Sequence, residues 1–189
     1  MSLLQASSPA TVTDYPKSQE PAWDKWLIPG WYYTVVTTTV ANVGNIYYIP
    51  IFVSATKTYT RICCNVTTGA AGNADLRIFA WNNGVPGALI LSAGTVDTAA
   101  AAHKEIVINI TLKRGYYYLA IRCTAAPTLA GPDKASAVVP PVPGQGRVAI
   151  VEYPSKYVIP RSNAAYADPA PAPDSMAEAN YAFVYLKSA

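Results

Sequence analysis

Glu105-Ile106-Val107-Ile108-Asn109-Ile110-Thr111-Leu112, then Lys113-Arg114-Gly115, then Tyr116-Tyr117-Tyr118-Leu119-Ala120-Ile121-Arg122-Cys123, is the stretch that decides the fold. In its first part Ile106, Ile108, Ile110 and Leu112 alternate with Val107, Asn109 and Thr111. A period of two belongs to a strand with one buried face; a helix would repeat its apolar positions every three or four residues. In its second part Tyr117, Leu119, Ile121 and Cys123 alternate with Tyr116, Tyr118, Ala120 and Arg122. With a Lys-Arg-Gly turn between them, the two segments predict a β-hairpin.

The same pattern extends in both directions. Segments 32–41 and 46–53 read as strands about a Val43-Gly44-Asn45 turn, and Pro50 marks an edge or bulge. Over 58–67, Ile62, Cys64 and Val66 alternate with Arg61, Cys63 and Asn65, the signature of a half-buried strand. Over 75–81, Leu76, Ile78 and Ala80 face one way and Arg77, Phe79 and Trp81 the other, so both faces are partly covered. Asn82-Asn83-Gly84 is a turn signal, because Asn and Gly tolerate positive φ. Strands are also expected over 88–96, 147–153 and 181–187. No amphipathic helix intervenes, which argues against parallel βαβ structure, and the expected fold class is all-β: an antiparallel β-sandwich.

Two segments depart from this pattern. Residues 1–30 hold Pro9, Pro16, Pro21 and Pro29 with Trp23 and Trp26, and read as an extended N-terminal arm ahead of a sandwich domain over 31–189. Trp23, Trp26 and Trp31 are candidate interface residues. Rings that each bury about 150–250 Å² dock either on the protein's own β-core or on a neighbouring subunit. Within about 127–175 the chain is Pro-rich and irregular, and 160–174 reads as a polyproline-like excursion.

Composition limits the chemistry. Of 189 residues 51% are hydrophobic and only 13% charged, with a net charge of +3, so the surface is unusually neutral. The basic residues lie scattered apart from Lys113-Arg114, and no nucleic-acid footprint is expected. No apolar run reaches the roughly 20 residues of a membrane-spanning helix, and residues 1–21 lack the n- and h-regions of a secretory leader. Synthesis in a cytoplasm is therefore expected. Cys63 and Cys64 would point to opposite faces of a strand and are poorly placed to share one metal or to bond each other; with Cys123 they read as free core thiols, the alternative being a disulfide from Cys123 to one of the pair. His103 is the sole histidine and is placed in the Ala-rich turn before the Ile106 strand, so a metal site made of several histidines is excluded by count. Asp75, Asp97, Glu105 and Asp133 are the acids available for a carboxylate pair, with turn and surface roles the ordinary alternative. No nucleotide cradle and no nucleophile elbow occurs, and the expectation is a protein with no enzymatic activity, no catalytic residue, no metal and no cofactor, the open alternative for a metal being Ca²⁺ held by Asp and backbone oxygens.

Ile46-Tyr47-Tyr48-Ile49-Pro50-Ile51-Phe52-Val53, Arg61-Ile62, Asn65-Val66-Thr67-Thr68, Leu76-Arg77-Ile78-Phe79, Gly84-Val85-Pro86-Gly87-Ala88-Leu89, Ala93-Gly94-Thr95-Val96-Asp97 and Gly115-Tyr116-Tyr117-Tyr118-Leu119-Ala120 together resemble, in order and spacing, a β-sandwich module of bacteriophage tail fibres and other virion surface proteins. The resemblance covers roughly 30–126. It rests on turn and core positions and brings no catalytic residue with it. It implies a jelly roll, a homotrimer and a place on the virion surface. Two functions follow from it: a capsid decoration or cement protein bound to the phage major capsid protein or other virion proteins, or a tail fibre tip that recognises host-surface saccharide through aromatics such as Tyr116, Tyr118 or Trp81. The cement reading is favoured, because the chain carries no fibre shaft and its Trp-bearing arm suits contacts with adjacent proteins.

Overall fold

A computed structural model of the chain describes residues 26–27, 36–132, 158–178 and 182–189. Trp23, Trp31 and the strand expected over 147–153 lie outside the described residues, as does the junction expected at residue 30. The strands, in chain order, are β1 (Trp26–Leu27), β2 (Val36–Val40), β3 (Ile46–Val53), β4 (Lys57–Thr68), β5 (Asn73–Asn82), β6 (Val85–Asp97), β7 (Ala102–Leu112), β8 (Gly115–Cys123), β9 (Thr128–Pro132), β10 (Val158–Ser162), β11 (Ser175–Glu178) and β12 (Val184–Ser188). The described residues contain no helix, and none long and apolar enough to cross a membrane.

Two antiparallel sheets pack face to face, as the alternation predicts. The first runs β1-β12-β4-β9-β2 with β7 also on β4; the second runs β11-β10-β3-β8-β5-β6. Residues 61–64 of β4 pair with both β12 and β7, so these two flank β4, and among the described residues β7 forms an edge of the sheet. Between the sheets lies the core: Ile49, Ile62, Leu76, Ile78, Leu119, Val184 and Leu186 are fully buried there. Each such side chain contributes about 1.5–3 kcal/mol by leaving water.

The hairpin expected over 105–123 is not formed. β7 pairs with β4 in the first sheet, whereas β8 pairs with β3 and β5 in the second. Lys113-Arg114-Gly115 therefore carries the chain across the sandwich and not back along its own edge. Both faces of each strand were read correctly: Ile108 and Leu112 of β7 meet Leu119, Ile121 and Cys123 of β8 across the interior, in one core cluster. Alternation fixes which face is buried but not which sheet a strand joins. The β5–β6 connection is the true two-residue hairpin, with Asn83 at φ 48° and Gly84 at φ 96°, the positive values that its turn demands.

Two loops lock the connections together. Ala70 donates its N–H to the Thr98 carbonyl at 2.9 Å, Thr98 returns its hydroxyl to the Ala70 carbonyl at 2.9 Å, and Thr98 N–H reaches the Gly72 carbonyl at 2.8 Å. A Cβ on Gly69 would collide with the Ala99 carbonyl, so the backbones can approach this closely only with glycine there.

The segment expected to be a polyproline-like excursion, 160–174, begins in a strand and continues without regular structure. Pro160 sits inside β10, paired with Met176 of β11, and the intervening residues 163–174 form a strap across the outer face of the second sheet. Its polar groups pin it: Ala170 N–H to the Gly87 carbonyl at 2.9 Å, Leu89 N–H to Asp168 Oδ1 at 3.0 Å and the Tyr166 hydroxyl to the Asp75 carbonyl at 3.2 Å.

Candidate functional site

Strand alternation sends Tyr48 and Phe52 of β3, Tyr116 and Tyr118 of β8, and Phe79 and Trp81 of β5 to the outer face of the second sheet. Cross-strand register brings them side by side: Phe52 faces Tyr116 and Phe79 faces Tyr118. Their rings form a continuous ladder, from Phe52 to Tyr116 at 4.8 Å, Tyr116 to Trp81 at 5.3 Å and Trp81 stacked on Tyr118 at 5.0 Å. The ladder continues from Tyr118 to Tyr48 at 6.3 Å, Tyr48 to Phe79 at 5.7 Å and Phe79 to Tyr166 of the strap at 6.0 Å. The Arg77 guanidinium lies 4.1 Å over the Tyr166 ring and clasps Asp75 through two hydrogen bonds of 2.9 and 3.2 Å. Burial beneath this cover pushes the Tyr166 hydroxyl well above its ordinary pKa.

The ladder is sealed at one end and open at the other. Tyr48, Phe79 and Tyr118 are fully buried, while Phe52, Trp81 and Tyr116 are half-buried at the end the strap leaves uncovered. Of the three aromatics expected to face a saccharide, Tyr116 and Trp81 thus expose ring surface and Tyr118 does not. Its hydroxyl donates instead to the Gly84 carbonyl at 2.6 Å, anchoring the β5–β6 turn. Phe52 was missed by sequence reading, although its even spacing, four residues from Tyr48 and two from Pro50, puts it on the same face.

The two buried phenols predict opposite outcomes. Tyr48 Oη has no hydrogen-bond partner among the described residues, so Tyr48→Phe is expected to leave stability unchanged or raise it by up to about 1 kcal/mol. Tyr118→Phe strands a buried carbonyl and is expected to lower stability by about 1–3 kcal/mol. Urea titrations of the two variants check the sign of each.

A second cluster lies on the outer face of the first sheet. His103 is not in a turn but one residue inside β7, exposed, with Nδ1 2.8 Å from the Tyr185 hydroxyl of β12 and Nε2 3.6 Å from Glu105 Oε2. Arg61 Nε approaches the other carboxylate oxygen of Glu105 at 3.6 Å. Register sets Tyr185, Cys63 and Glu105 in one row across β12, β4 and β7. Cys63 lies fully buried in that row, and burial pushes its thiol up to about 12. Sequence reading placed Cys63 on this face but could not gather the cluster, because Tyr185 lies 82 residues from His103.

The remaining candidate acids that are described each have a basic partner. Asp75 is held by Arg77, Asp97 faces Lys104 at 3.7 Å, and Asp133 lies outside the described residues. All three cysteines are free. Of the expected interface residues, Trp26 belongs to β1, paired with Lys187 of β12, and Leu27 beside it packs against the core; Trp23 and Trp31 lie outside the described residues.

The third feature is an edge. Among the described residues β7 pairs only with β4, and over 106–112 its sequence Ile-Val-Ile-Asn-Ile-Thr-Leu carries no charge. Val107 at its centre is 72% exposed, the highest value among the large apolar side chains described. Edge strands of monomers are ordinarily guarded by charge, bulges or proline; β7 has Lys104 and Glu105 in its first half and a register shift against β4 between Val107 and Ile110, and its 106–112 segment carries no charge or proline. Comparison with known proteins adds no relative: no family model matches the chain, and no curated protein or solved structure does.

Proposed function

We propose that the chain is a structural protein of a bacteriophage virion surface, a decoration or cement protein that lies on the outer shell as a homotrimer and reinforces contacts between shell subunits. The observation that carries this reading is the uncharged 106–112 segment of the β7 edge. Its backbone N–H and C=O groups and the exposed Val107 suit strand addition by a neighbouring protein, in which main-chain hydrogen bonds supply affinity and side-chain pockets supply register. The low charge of the chain, 13%, fits broad shared interfaces, whose centres are depleted of charged residues. The likeness to phage virion modules, in a chain folded as an antiparallel β-sandwich, supports the location. A jelly-roll strand arrangement belongs to the same proposal.

The test is Val107→Lys with Asn109→Lys, two exposed positions on the edge strand. The double variant should melt within a few degrees of the parent protein and bind capsids lacking the protein at least about tenfold more weakly, a loss of about 1.4 kcal/mol. Unchanged capsid binding would remove the edge from the interface.

A saccharide-binding tail tip is the second reading, and the half-exposed Phe52, Tyr116 and Trp81 rings favour it. It requires Trp81→Ala to abolish binding to host cells, and it leaves capsid binding untouched.

A further inference from the structure

We propose that Cys63, His103 and Glu105 form a binding site for a borderline-soft divalent cation, Zn²⁺ by its ligand preference, that staples the edge strand β7 to β4. Their ligand atoms all lie within 4.8 Å of one another. A tetrahedral ion with bonds of about 2.0–2.3 Å asks for ligand atoms about 3.6 Å apart. His103 and Glu105 are exposed on the strand surface and can close that difference by small side-chain rotations, while Cys63 is fixed beneath them.

The surrounding groups orient the ligands as an ion would need. Tyr185 engages His103 Nδ1 at 2.8 Å, which leaves Nε2 as the nitrogen on the Glu105 side. A ligating imidazole is ordinarily held through its other nitrogen in this manner. Arg61 engages Glu105 Oε1, and Oε2 is the oxygen turned toward His103. A thiolate, a neutral imidazole and a carboxylate form the mixed S, N, O set that suits Zn²⁺ and disfavours Mg²⁺ or Ca²⁺, which take oxygen ligands.

Binding replaces the Cys63 S–H bond with an S–Zn bond and releases the proton to solvent. No electron is transferred. Thiolate and carboxylate then balance the double positive charge, and water fills the fourth position. Because the ligands come from β4 and β7, the ion bridges the two strands next to the open edge.

The experiment titrates the reduced, chelator-treated full chain with Co²⁺, a coloured stand-in for Zn²⁺, and follows the thiolate-to-cobalt charge-transfer band and the visible absorption of tetrahedral cobalt. One equivalent should produce both signals, Zn²⁺ should abolish them by displacement, and Zn²⁺ should raise the melting temperature. Cys63→Ser should lose the charge-transfer band. His103→Gln, at an exposed position that leaves folding intact, should weaken binding at least tenfold, and Tyr185→Phe should weaken it less. Cys123→Ala, whose side chain faces the interior, should bind as the parent does. No charge-transfer band in the parent, a band that survives in Cys63→Ser, or His103→Gln binding as tightly as the parent would each overturn the site.

Discussion

Raising the pH from 9 to 11 is expected to remove most of the protein's stability under reducing, metal-free conditions. Burial holds the Cys63, Cys64 and Cys123 thiols protonated, pushing each from 9.0 up to about 12. In the unfolded chain the same thiols ionise near their ordinary value. Between those limits the native state therefore binds more protons than the unfolded state, and stability falls as pH rises. It is fully present below pH 9.0 and is lost on the way to about 12. Each thiol contributes somewhat over 1 kcal/mol per pH unit across that window, so the three together approach about 4 kcal/mol per unit. Set against a typical total of about 5–15 kcal/mol, that slope removes most or all of the stability within about one to four units. Burial of the Tyr48 and Tyr185 hydroxyls acts in the same direction at higher pH. Urea titrations at pH 8, 9, 10 and 11 measure the slope, and Cys123→Ala should reduce it by about a third. A stability independent of pH up to 10.5 would contradict the buried, protonated state of these thiols.

Phe79→Ala is expected to lower stability by about 3–5 kcal/mol. Phe79 is fully buried on the outer face of the second sheet, between Tyr48 at 5.7 Å and Tyr166 at 6.0 Å. Truncation leaves a cavity beneath the strap, and the ladder cannot close over it because β5 is held by β6 and β8 on either side. Phe79→Leu, which keeps most of the volume, should lose less than about 1.5 kcal/mol. Urea unfolding of both variants at constant m-value separates the cavity effect from a change in the unfolded state. A loss below 1 kcal/mol for Phe79→Ala would mean that the strap is not seated on the sheet as described.

The strap and the hairpin show how far the chain could be read from its residues alone. Faces were legible, because alternation is a local property: Leu76 and Ile78 against Phe79 and Trp81, or Ile108 and Leu112 against the exposed Val107, fall where the pattern puts them. Sheet membership was not, because the Lys113-Arg114-Gly115 connection is as compatible with crossing the sandwich as with turning back. The Pro-rich segment was legible as non-helical, but the hydrogen bonds that fold it onto β5 and β6 join positions about 80–90 residues apart and leave no local signature. The same distance hid the candidate sites. Cys63, His103 and Tyr185 are unremarkable one at a time and meet only through the register of β4 with β7 and β12.

The proposed assembly and the proposed metal site converge on one strand. The 106–112 segment of β7 is the uncharged edge offered to a neighbour, and the first half of the same strand carries His103 and Glu105. An ion between β4 and β7 would hold that edge flat before a partner strand is added, which lowers the conformational entropy lost on binding.

The most direct measurement is co-sedimentation of the purified chain with phage capsids lacking it, in parallel with intact host cells, after light scattering has fixed its mass in solution. The proposed function requires a trimer that binds capsids saturably and does not bind cells. Binding to cells that surface polysaccharide competes away, with no binding to capsids, would contradict it and move the function to the open end of the aromatic ladder.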